Sequence, residues 1–192
     1  MHRRLLQGLA TAAAAFAIAA APASAEAQCS AGFTLTSYAG GSSCFRITSG
    51  STSWSIANAE ATSLGGWLAA IGSAAENAAA RSFMDGLIGG SQFHIGFTDA
   101  ASEGAFVWSN GQAVTYTNWN LGEPNDVNNE DVTEMLSTGA WNDIQDSPNT
   151  IRYGLIETAA VSTVPEPATV GLLGAGLAVL GVAARRRRRA VA

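Results

Sequence analysis

The feature that most constrains this chain is a long acidic stretch without lysine or arginine. It runs between Arg81 and Arg152, and asparagines are interspersed among its acids. From Asp99 onward it holds nine carboxylates: Asp99, Glu103, Glu123, Asp126, Glu130, Asp131, Glu134, Asp143 and Asp146. So many unpaired acids repel one another when they are folded together. Ca²⁺ binds about six to eight such oxygens, so the stretch predicts a calcium site in a polar loop.

The start of the chain has the pattern of a secretory signal peptide. Two arginines near the N-terminus precede an alanine- and leucine-rich apolar run, which ends in Ala23-Ser24-Ala25. A basic start, an apolar stretch and a small-x-small site are typical of a segment that is removed after export. We expect cleavage after Ala25, so that residues 1–25 are the signal peptide. The alternative, an N-terminal membrane anchor, is disfavoured because the apolar run is short and rich in alanine.

The end of the chain, residues 161–192, predicts a second sorting signal. Pro165-Glu166-Pro167 is followed by an uncharged apolar run over 168–184 and then by the arginines 185–189. As a helix the run spans about 25 Å, slightly less than the ~30 Å hydrocarbon core of a bilayer. The arginines favour the cytoplasmic side, which places the preceding domain outside.

This order resembles the PEP-CTERM sorting signal of Gram-negative bacteria. The resemblance implies recognition by an exosortase and removal of the tail near the Pro-Glu-Pro sequence. We therefore expect the inner membrane to hold the C-terminal helix only transiently. The processed protein should then reside in the cell envelope, at the cell surface or in the extracellular matrix. The alternative is a plain C-terminal membrane anchor.

Residues 26–160, between the two signals, are expected to form one strongly acidic domain. The whole chain has a formal net charge of −5, but it contains no lysine and only three of its ten arginines fall in this part. This charge argues against nucleic acid as a partner. Cys29 and Cys44 are the only cysteines. An exported domain is oxidised, so a disulfide between them is expected rather than two free thiols.

The hydrophobic pattern predicts the α+β class. Helices are expected at about 54–64, after Ser53, and at about 73–87, where Ser73 and Glu76 form a capping box. A disulfide-linked hairpin is expected over 30–43. Short strands are expected at 44–47, 67–71, 94–98, 106–108, 113–116, 132–136, 141–144 and 152–156. Asn110-Gly111 is the type of turn that would pair 106–108 with 113–116. The polar loop 118–131 is long enough to be functional.

Several motifs match the C-type lectin domain in order and spacing. They are Leu64-Gly65-Gly66-x-Leu68-Ala69-x-Ile71, Ile95-Gly96-Phe97-Thr98-Asp99 with Glu103-Gly104, Asn118-Trp119, Glu123-Pro124-Asn125-Asp126, Glu130-Asp131 and Trp141-Asn142-Asp143. The resemblance covers residues 29–157. It implies a C-type lectin-like fold with two helices, short antiparallel sheets and a long calcium-binding loop region. It also implies that Cys29–Cys44 is the extra N-terminal disulfide of the family's long form.

The expected principal Ca²⁺ and carbohydrate site consists of Glu123, Asn125, Glu130, Asn142 and Asp143. These carboxylates and amides, with the Asp143 carbonyl, leave coordination positions for two vicinal sugar hydroxyls. Each hydroxyl donates to a carboxylate and accepts from an amide. The resemblance implies that Glu123 with Asn125 binds one hydroxyl and Glu130 with Asn142 the other. It further implies a cis bond before Pro124 and, from Glu-Pro-Asn, a preference for mannose- or glucose-type carbohydrate.

The resemblance also implies an auxiliary Ca²⁺ site made of Asp99, Glu103, Asp126 and Asp131, with the Glu130 carbonyl. The loop from Asp126 to Glu130 is one residue shorter than in the mannose-binding relatives, which affects the register of Glu130 and Asp131.

The chain departs from the family pattern at several core positions. Both core disulfides of the family are absent: Ala61 and Ile156 occupy one pair of positions, and Val132 and Asp146 lie at or near the other. His94 replaces the family's tryptophan and is expected to be a packed core residue. Glu134 and Asp146 are expected at the solvated surface.

The sequence is compatible with three classes of function to different degrees. The favoured class is an exported, calcium-dependent carbohydrate-binding protein that is not an enzyme. The second is a protein-interaction or structural surface protein that uses Ca²⁺ only for stability. The third, a glycoside hydrolase, needs two carboxylates flanking a bond, one of them in an apolar pocket that raises its pKa. The acids here alternate with asparagine in a metal-ligand pattern, which disfavours hydrolysis.

Overall fold

A computed structural model describes residues 26–163, within which short strands alternate with two helices. In chain order the elements are β1 (Glu26–Gln28), β2 (Thr34–Tyr38), β3 (Gly41–Ile47), α1 (Trp54–Ser63), β4 (Trp67–Leu68), α2 (Ala74–Ile88), β5 (Phe93–Thr98), β6 (Val107–Trp108), β7 (Val132–Met135), β8 (Trp141–Ile144), β9 (Tyr153–Thr158) and β10 (Val161–Thr163). The predicted α+β class is confirmed. The predicted signal peptide and the tail from residue 164 lie outside the described residues.

One eight-stranded sheet organises the domain, with β9 near its centre. Its path is β2-β3-β9-β5-β7-β8, while β4 pairs with β9 and β6 pairs with β5. Short antiparallel sheets were predicted, but this sheet is mixed, because β5 and β9 run parallel. A separate two-stranded sheet joins β1 to β10, with Glu26 opposite Thr163.

The two helices begin at the predicted serines, but only one serine side chain caps its helix. Ser73 Oγ accepts a hydrogen bond of 3.1 Å from the Glu76 backbone N–H. The Glu76 carboxylate accepts from the Gly72 N–H at 2.8 Å and does not complete the reciprocal half of the capping box. Ser53 has the extended backbone of an N-cap but makes no side-chain cap bond. Helix α2 ends at Gly89, whose φ of +60° is the left-handed conformation that glycine tolerates.

The predicted hairpin between 106–108 and 113–116 is wrong. A turn is present, since the Gly111 N–H donates to the Trp108 carbonyl at 2.9 Å. Strand β6, however, pairs with β5, placing Trp108 opposite Phe97. Residues 113–116 form no strand, and Val114 is exposed. Trp108 is buried by pairing with β5, whereas Val114 gains no such burial, so the hydrophobic contact decides the pairing.

An aromatic cluster forms the floor beneath the polar loop. The Phe97 ring centroid lies 4.4 Å from that of Trp108, 5.8 Å from that of Trp119 and 5.6 Å from that of Trp141. The Trp141 indole also donates to Asn77 Oδ1 on α2 at 2.8 Å. Tilted and edge-on contacts of this kind each contribute about 0.5–1.5 kcal/mol beyond area burial. The cluster therefore provides a rigid base for the segments that carry the candidate site.

The disulfide pattern agrees with the sequence. Cys29 and Cys44 are bonded, with their Cα atoms 5.5 Å apart. At the positions of one missing family disulfide, Ala61 and Ile156 are both fully buried. Near the other, Val132 belongs to a buried apolar cluster, and Asp146 accepts from the Ser55 N–H at 3.2 Å.

Candidate functional site

The loop 118–131 has little regular structure, yet both of its ends are tied to the sheet. At its start, the Trp141 N–H donates to the Asn118 carbonyl and the Asn120 N–H donates to the Trp141 carbonyl, each at 2.8 Å. At its end, Thr98 Oγ donates to the Asp131 carbonyl at 2.6 Å. These bonds hold the loop beside β5 and β8, from which the remaining candidate ligands come.

Four of the five residues of the predicted principal site are brought together. The Glu123–Pro124 bond is cis, as predicted. Asn125 Nδ2 donates to the Glu123 carboxylate. The buried Asp143 carboxylate accepts from the Asn125 N–H at 2.9 Å. Asn125 Oδ1 and Glu130 Oε2 both accept from the Val127 N–H, at 2.9 and 3.2 Å.

The carboxylates of this group influence one another electrostatically. Desolvation raises the pKa of Glu123, and hydrogen bonding with the Asp143 carboxyl, together with its charge, raises it further. Desolvation followed by the charge of Asp143 likewise raises the pKa of Glu130. Negative charge is therefore concentrated here, which favours either a proton or a cation.

The fifth residue, Asn142, points elsewhere. It faces Glu134 across the β7–β8 pair, and its Nδ2 lies 3.5 Å from Glu134 Oε1. None of the side-chain hydrogen bonds in residues 26–163 joins Asn142 to the other four candidates. The side-chain hydrogen bonds of the described residues therefore connect Asn142 to Glu134 and not to the other four candidates.

In the predicted auxiliary site, Glu103 lies close enough to the other three acids to be influenced by their charges. Desolvation raises the pKa of Glu103, and the charges of Asp99, Asp126 and Asp131 raise it further. Asp126 Oδ1 accepts from the Glu130 N–H at 2.9 Å. Within the shortened loop Asp126, Asn128 and Asn129 have φ values of 50°, 63° and 67°. Asp and Asn tolerate this left-handed conformation better than most residues, so these three residues suit the tight turn of the loop.

Asp99 has the strongest indication of a missing cationic partner. Its side chain is only 2% exposed, and Oδ2 accepts from the Gly104 N–H at 2.8 Å. Oδ1 is buried and has no hydrogen-bond partner. A buried unpaired carboxylate oxygen is costly, and a Ca²⁺ ion would satisfy it. The all-oxygen donor set around it suits this ion.

No three His, Cys, Asp or Glu side chains in residues 26–163 are grouped so that they could hold a metal ion as they stand. The principal set also uses amide oxygens, and both sets use a backbone carbonyl, which such a grouping does not include. The all-oxygen donor chemistry and the Asp99 Oδ1 atom, which has no hydrogen-bond partner within residues 26–163, fit calcium, but the side chains are not arranged as a complete coordination shell.

His94 is a buried core residue, as predicted. It is 0% exposed in β5, and its Nε2 lies 3.0 Å from the Thr52 carbonyl. Burial lowers the pKa of His94 to about 4, although the contact with Thr52 opposes the shift. The imidazole is therefore neutral near pH 7 and belongs to the core.

Glu134 was predicted at the surface, and this prediction is wrong. The side chain is 3% exposed, and its Oε2 pairs with Arg152 Nε at 2.6 Å. Its position on β7 opposite Asn142 could have been inferred from the strand register. The pairing with Arg152, eighteen residues later in the chain, could not have been inferred from the sequence.

A second buried acidic network also escaped the sequence reading. Glu76 accepts from the Tyr38 hydroxyl at 2.7 Å and from Ser43 at 2.8 Å, while Glu157 accepts from the Trp67 indole at 3.1 Å. Both acids line a cavity of about 410 Å³. Burial, opposed by the contact with the Ser43 hydroxyl, raises the pKa of Tyr38 to about 12, and the nearby acids add to the shift. These donors satisfy the two acids within the fold.

Comparison with known protein families gives two matches. Residues 50–150, just over half of the chain, match the Lectin C-type domain. Residues 163–189 match the PEP-CTERM protein-sorting motif. Within the described residues no helix is long and apolar enough to cross a membrane, and the predicted span at 168–184 lies outside them.

Individual relatives agree with the domain match. A mannose-binding protein of Gallus gallus is 42% identical over 77 residues, covering 40% of this chain and 29% of that protein. The lectin CEL-I of Cucumaria echinata superimposes with a TM-score of 0.61 at 30% identity, covering 71% of this chain and 99% of that one. A calcium-independent type II antifreeze protein superimposes with a TM-score of 0.60 at 25% identity, covering 71% of this chain and 98% of that one. The chain spans under a third of the curated relatives it matches.

Proposed function

Because this chain belongs to the C-type lectin domain family, we propose that its exported domain is a calcium-dependent carbohydrate-binding module of a bacterial cell surface or extracellular matrix. The fold of this family and the match to the sorting motif support export of a lectin-like protein. Calcium dependence and sugar binding are the further steps of the proposal.

The observation that carries the proposal is the convergence of acidic and amide side chains without a cationic partner. Desolvation, and then the nearby Asp143 carboxylate, raise the pKa values of Glu123 and Glu130, and Asp143 also accepts from the Asn125 N–H. A Ca²⁺ ion bound there would neutralise this repulsion and could retain open positions for a ligand. Asn142, which follows Trp141 in β8, would supply the remaining amide. The auxiliary ion would be held by Asp99, Glu103, Asp126 and Asp131.

The ligand class follows from the order of donors and acceptors. In the proposed site, Glu123 would present an acceptor and Asn125 a donor on one side of the ion, and Glu130 with Asn142 would repeat the pair on the other. Vicinal hydroxyls can both donate and accept, so they match such pairs. The identity with a protein described as mannose-binding supports a mannose- or glucose-type sugar. One sugar on an open loop makes few contacts, so we expect affinity on the order of millimolar and useful binding only to repeated glycans.

The tail completes the proposal. A PEP-CTERM motif supports recognition by an exosortase and release from the inner membrane after cleavage.

We propose no catalytic role, because the acids are interleaved with asparagines and with backbone N–H donors and are not enclosed in an apolar pocket. The C-type lectin-like proteins are typically binding proteins, which agrees with this assignment.

A second candidate function is a structural or protein-binding surface domain that uses Ca²⁺ only for stability and has no sugar ligand. One observation favours it: the Asn142 amide, which the first candidate needs for a sugar hydroxyl, faces Glu134. Both candidates predict stabilisation by Ca²⁺, but only the first predicts retention on a glycan and elution by competing sugar.

Retention on an immobilised mannan column, with and without Ca²⁺, tests the proposal. The mature protein should be retained in Ca²⁺ and eluted by a chelator or by free mannose. The double variant Glu123→Gln with Asn125→Asp reverses the donor and acceptor order, so it should keep Ca²⁺ but shift preference toward galactose. Glu60→Gln with Asn149→Asp makes the same change of charge outside the loop and should behave like the wild type. Calcium binding without retention on any mannose or glucose polymer would favour the second candidate.

A further inference from the structure

We propose that Glu134, held by Arg152, is a positioning residue that sets the orientation of the Asn142 amide. This inference rests on the proposed function, since Asn142 is one of its candidate ligands. It explains why an acid that the sequence would place at the surface is instead buried behind the site. Glu134 would not bind the ion or the sugar itself.

The strand register places the two side chains together. Glu134 lies on β7 directly opposite Asn142 on β8, so both project from the same face of the sheet. Glu134 Oε1 is 3.5 Å from Asn142 Nδ2. Because Glu134 is only 3% exposed, its carboxylate interacts with the amide at low local dielectric and with little screening by water.

Arg152 fixes the carboxylate from the other side. Its Nε donates to Glu134 Oε2 at 2.6 Å, which leaves Oε1 directed toward Asn142. Arg152 is itself restrained, because its backbone exchanges hydrogen bonds of 2.8 and 2.9 Å with Thr52. Its Nη1 also donates to the Ile151 carbonyl at 2.9 Å. The ion pair therefore holds the Glu134 carboxylate in one place.

A fixed negative charge distinguishes the two possible orientations of an amide. If Asn142 turned its Oδ1 toward Glu134, two acceptors would face each other, whereas the Nδ2 group is attracted. The amide has two N–H donors and one carbonyl oxygen. With one N–H directed at Glu134, the oxygen remains for a cation and the second N–H remains for a sugar hydroxyl. The contact between Glu134 and Asn142 would thus orient the Asn142 amide both for binding the cation and for binding the sugar.

The test compares the mature wild-type protein with two variants. Glu134→Leu with Arg152→Leu removes both charges together, and replacing a buried ion pair by apolar residues is often neutral for stability. Glu134→Gln keeps the shape of the side chain but lets it present either an oxygen or an amide group. Asp146→Asn removes an exposed acid near the same strands and is the control for charge alone.

The first readout needs no ligand. In calcium-free wild-type protein, NMR should show the Asn142 side-chain amide with one slowly exchanging proton. In both variants that protection should be lost, while Asp146→Asn should retain it. Calorimetric titration with Ca²⁺ should then give an affinity about fivefold weaker in both variants, which corresponds to losing roughly one hydrogen bond. The thermal midpoint of the double variant should stay near that of the wild type.

The outcomes separate this inference from the proposed function. Unchanged Asn142 amide exchange and unchanged Ca²⁺ affinity in Glu134→Gln and in the double variant would overturn the positioning role, whatever the sugar results. If the wild type binds no sugar but both variants lose amide protection, the carbohydrate proposal fails and the positioning role stands. If Asp146→Asn weakens Ca²⁺ binding equally, the effect is one of general charge and the inference is also overturned.

Discussion

Replacing His94 by glutamine should remove an acid-induced loss of stability. Burial lowers the pKa of His94 from 6.5 to about 4 in the folded protein. Each pKa unit corresponds to about 1.4 kcal/mol, so the shift is equivalent to ~3 kcal/mol. Between these two pH values the unfolded chain binds a proton that the folded protein does not. The stability is therefore fully present above about pH 6.5 and is lost progressively as the pH falls toward 4.

The assay is urea unfolding of the calcium-free protein at a series of pH values from 7.5 to 4. Glutamine can still donate to the Thr52 carbonyl but does not titrate, so the difference between the two proteins isolates the imidazole. Glu103, Glu123 and Glu130 have raised pKa values and favour folding as the pH falls. They are present in both proteins and cancel in the difference. Parallel stability profiles for wild type and His94→Gln over this range would refute the reasoning.

Three further outcomes are expected. Ca²⁺ at a hundredfold excess over its Kd should stabilise the domain by about 2.7 kcal/mol, measured by thermal melting. The variant Asp99→Asn should gain less stability from Ca²⁺. A melting midpoint that changes with neither Ca²⁺ nor chelator would contradict the calcium site. Replacing Cys29 and Cys44, which are 15 residues apart, by serine should lower the free energy of unfolding by about 3 kcal/mol, measured by urea unfolding; equal midpoints would contradict this. Protein purified from a host with an exosortase should lack the arginines 185–189, as measured by its intact mass. Retention of these arginines would indicate a plain membrane anchor.

Local patterns in the sequence predicted most of the fold that carries the site. Both helices were located because small and apolar residues recur with helical spacing and because glycines follow them. The strand predicted at 94–98 is present as β5, and Glu123, Asn125 and Asp126 were identified from the resemblance of Glu123-Pro124-Asn125-Asp126 to a C-type lectin motif. These features depend on neighbours within a few residues, which a sequence displays directly.

The features that were missed depend on partners distant in the chain. Glu134 is buried where it pairs with Arg152, the residue just before β9, and no local pattern records that pairing. Val114 was assigned to a strand by its β-branched neighbours, but β6 gains more by covering Phe97. The pairing of β1 with β10 joins two segments of three residues, too short for any hydrophobic period to be recognised. Three-dimensional competition for partners decides each of these cases.

The position of β10 has a mechanical consequence. Any force applied through the C-terminal tail enters the domain at Thr163 and passes along β10 into β9, only three residues before it in the chain. Strand β9 pairs with β3, β4 and β5, so the load is distributed to three neighbouring strands. A tether at this end pulls on the best-supported strand of the sheet, while the loop 118–131 stays outside the path of the force. A protein attached through this end would therefore pass load into the sheet before it reached the loop 118–131.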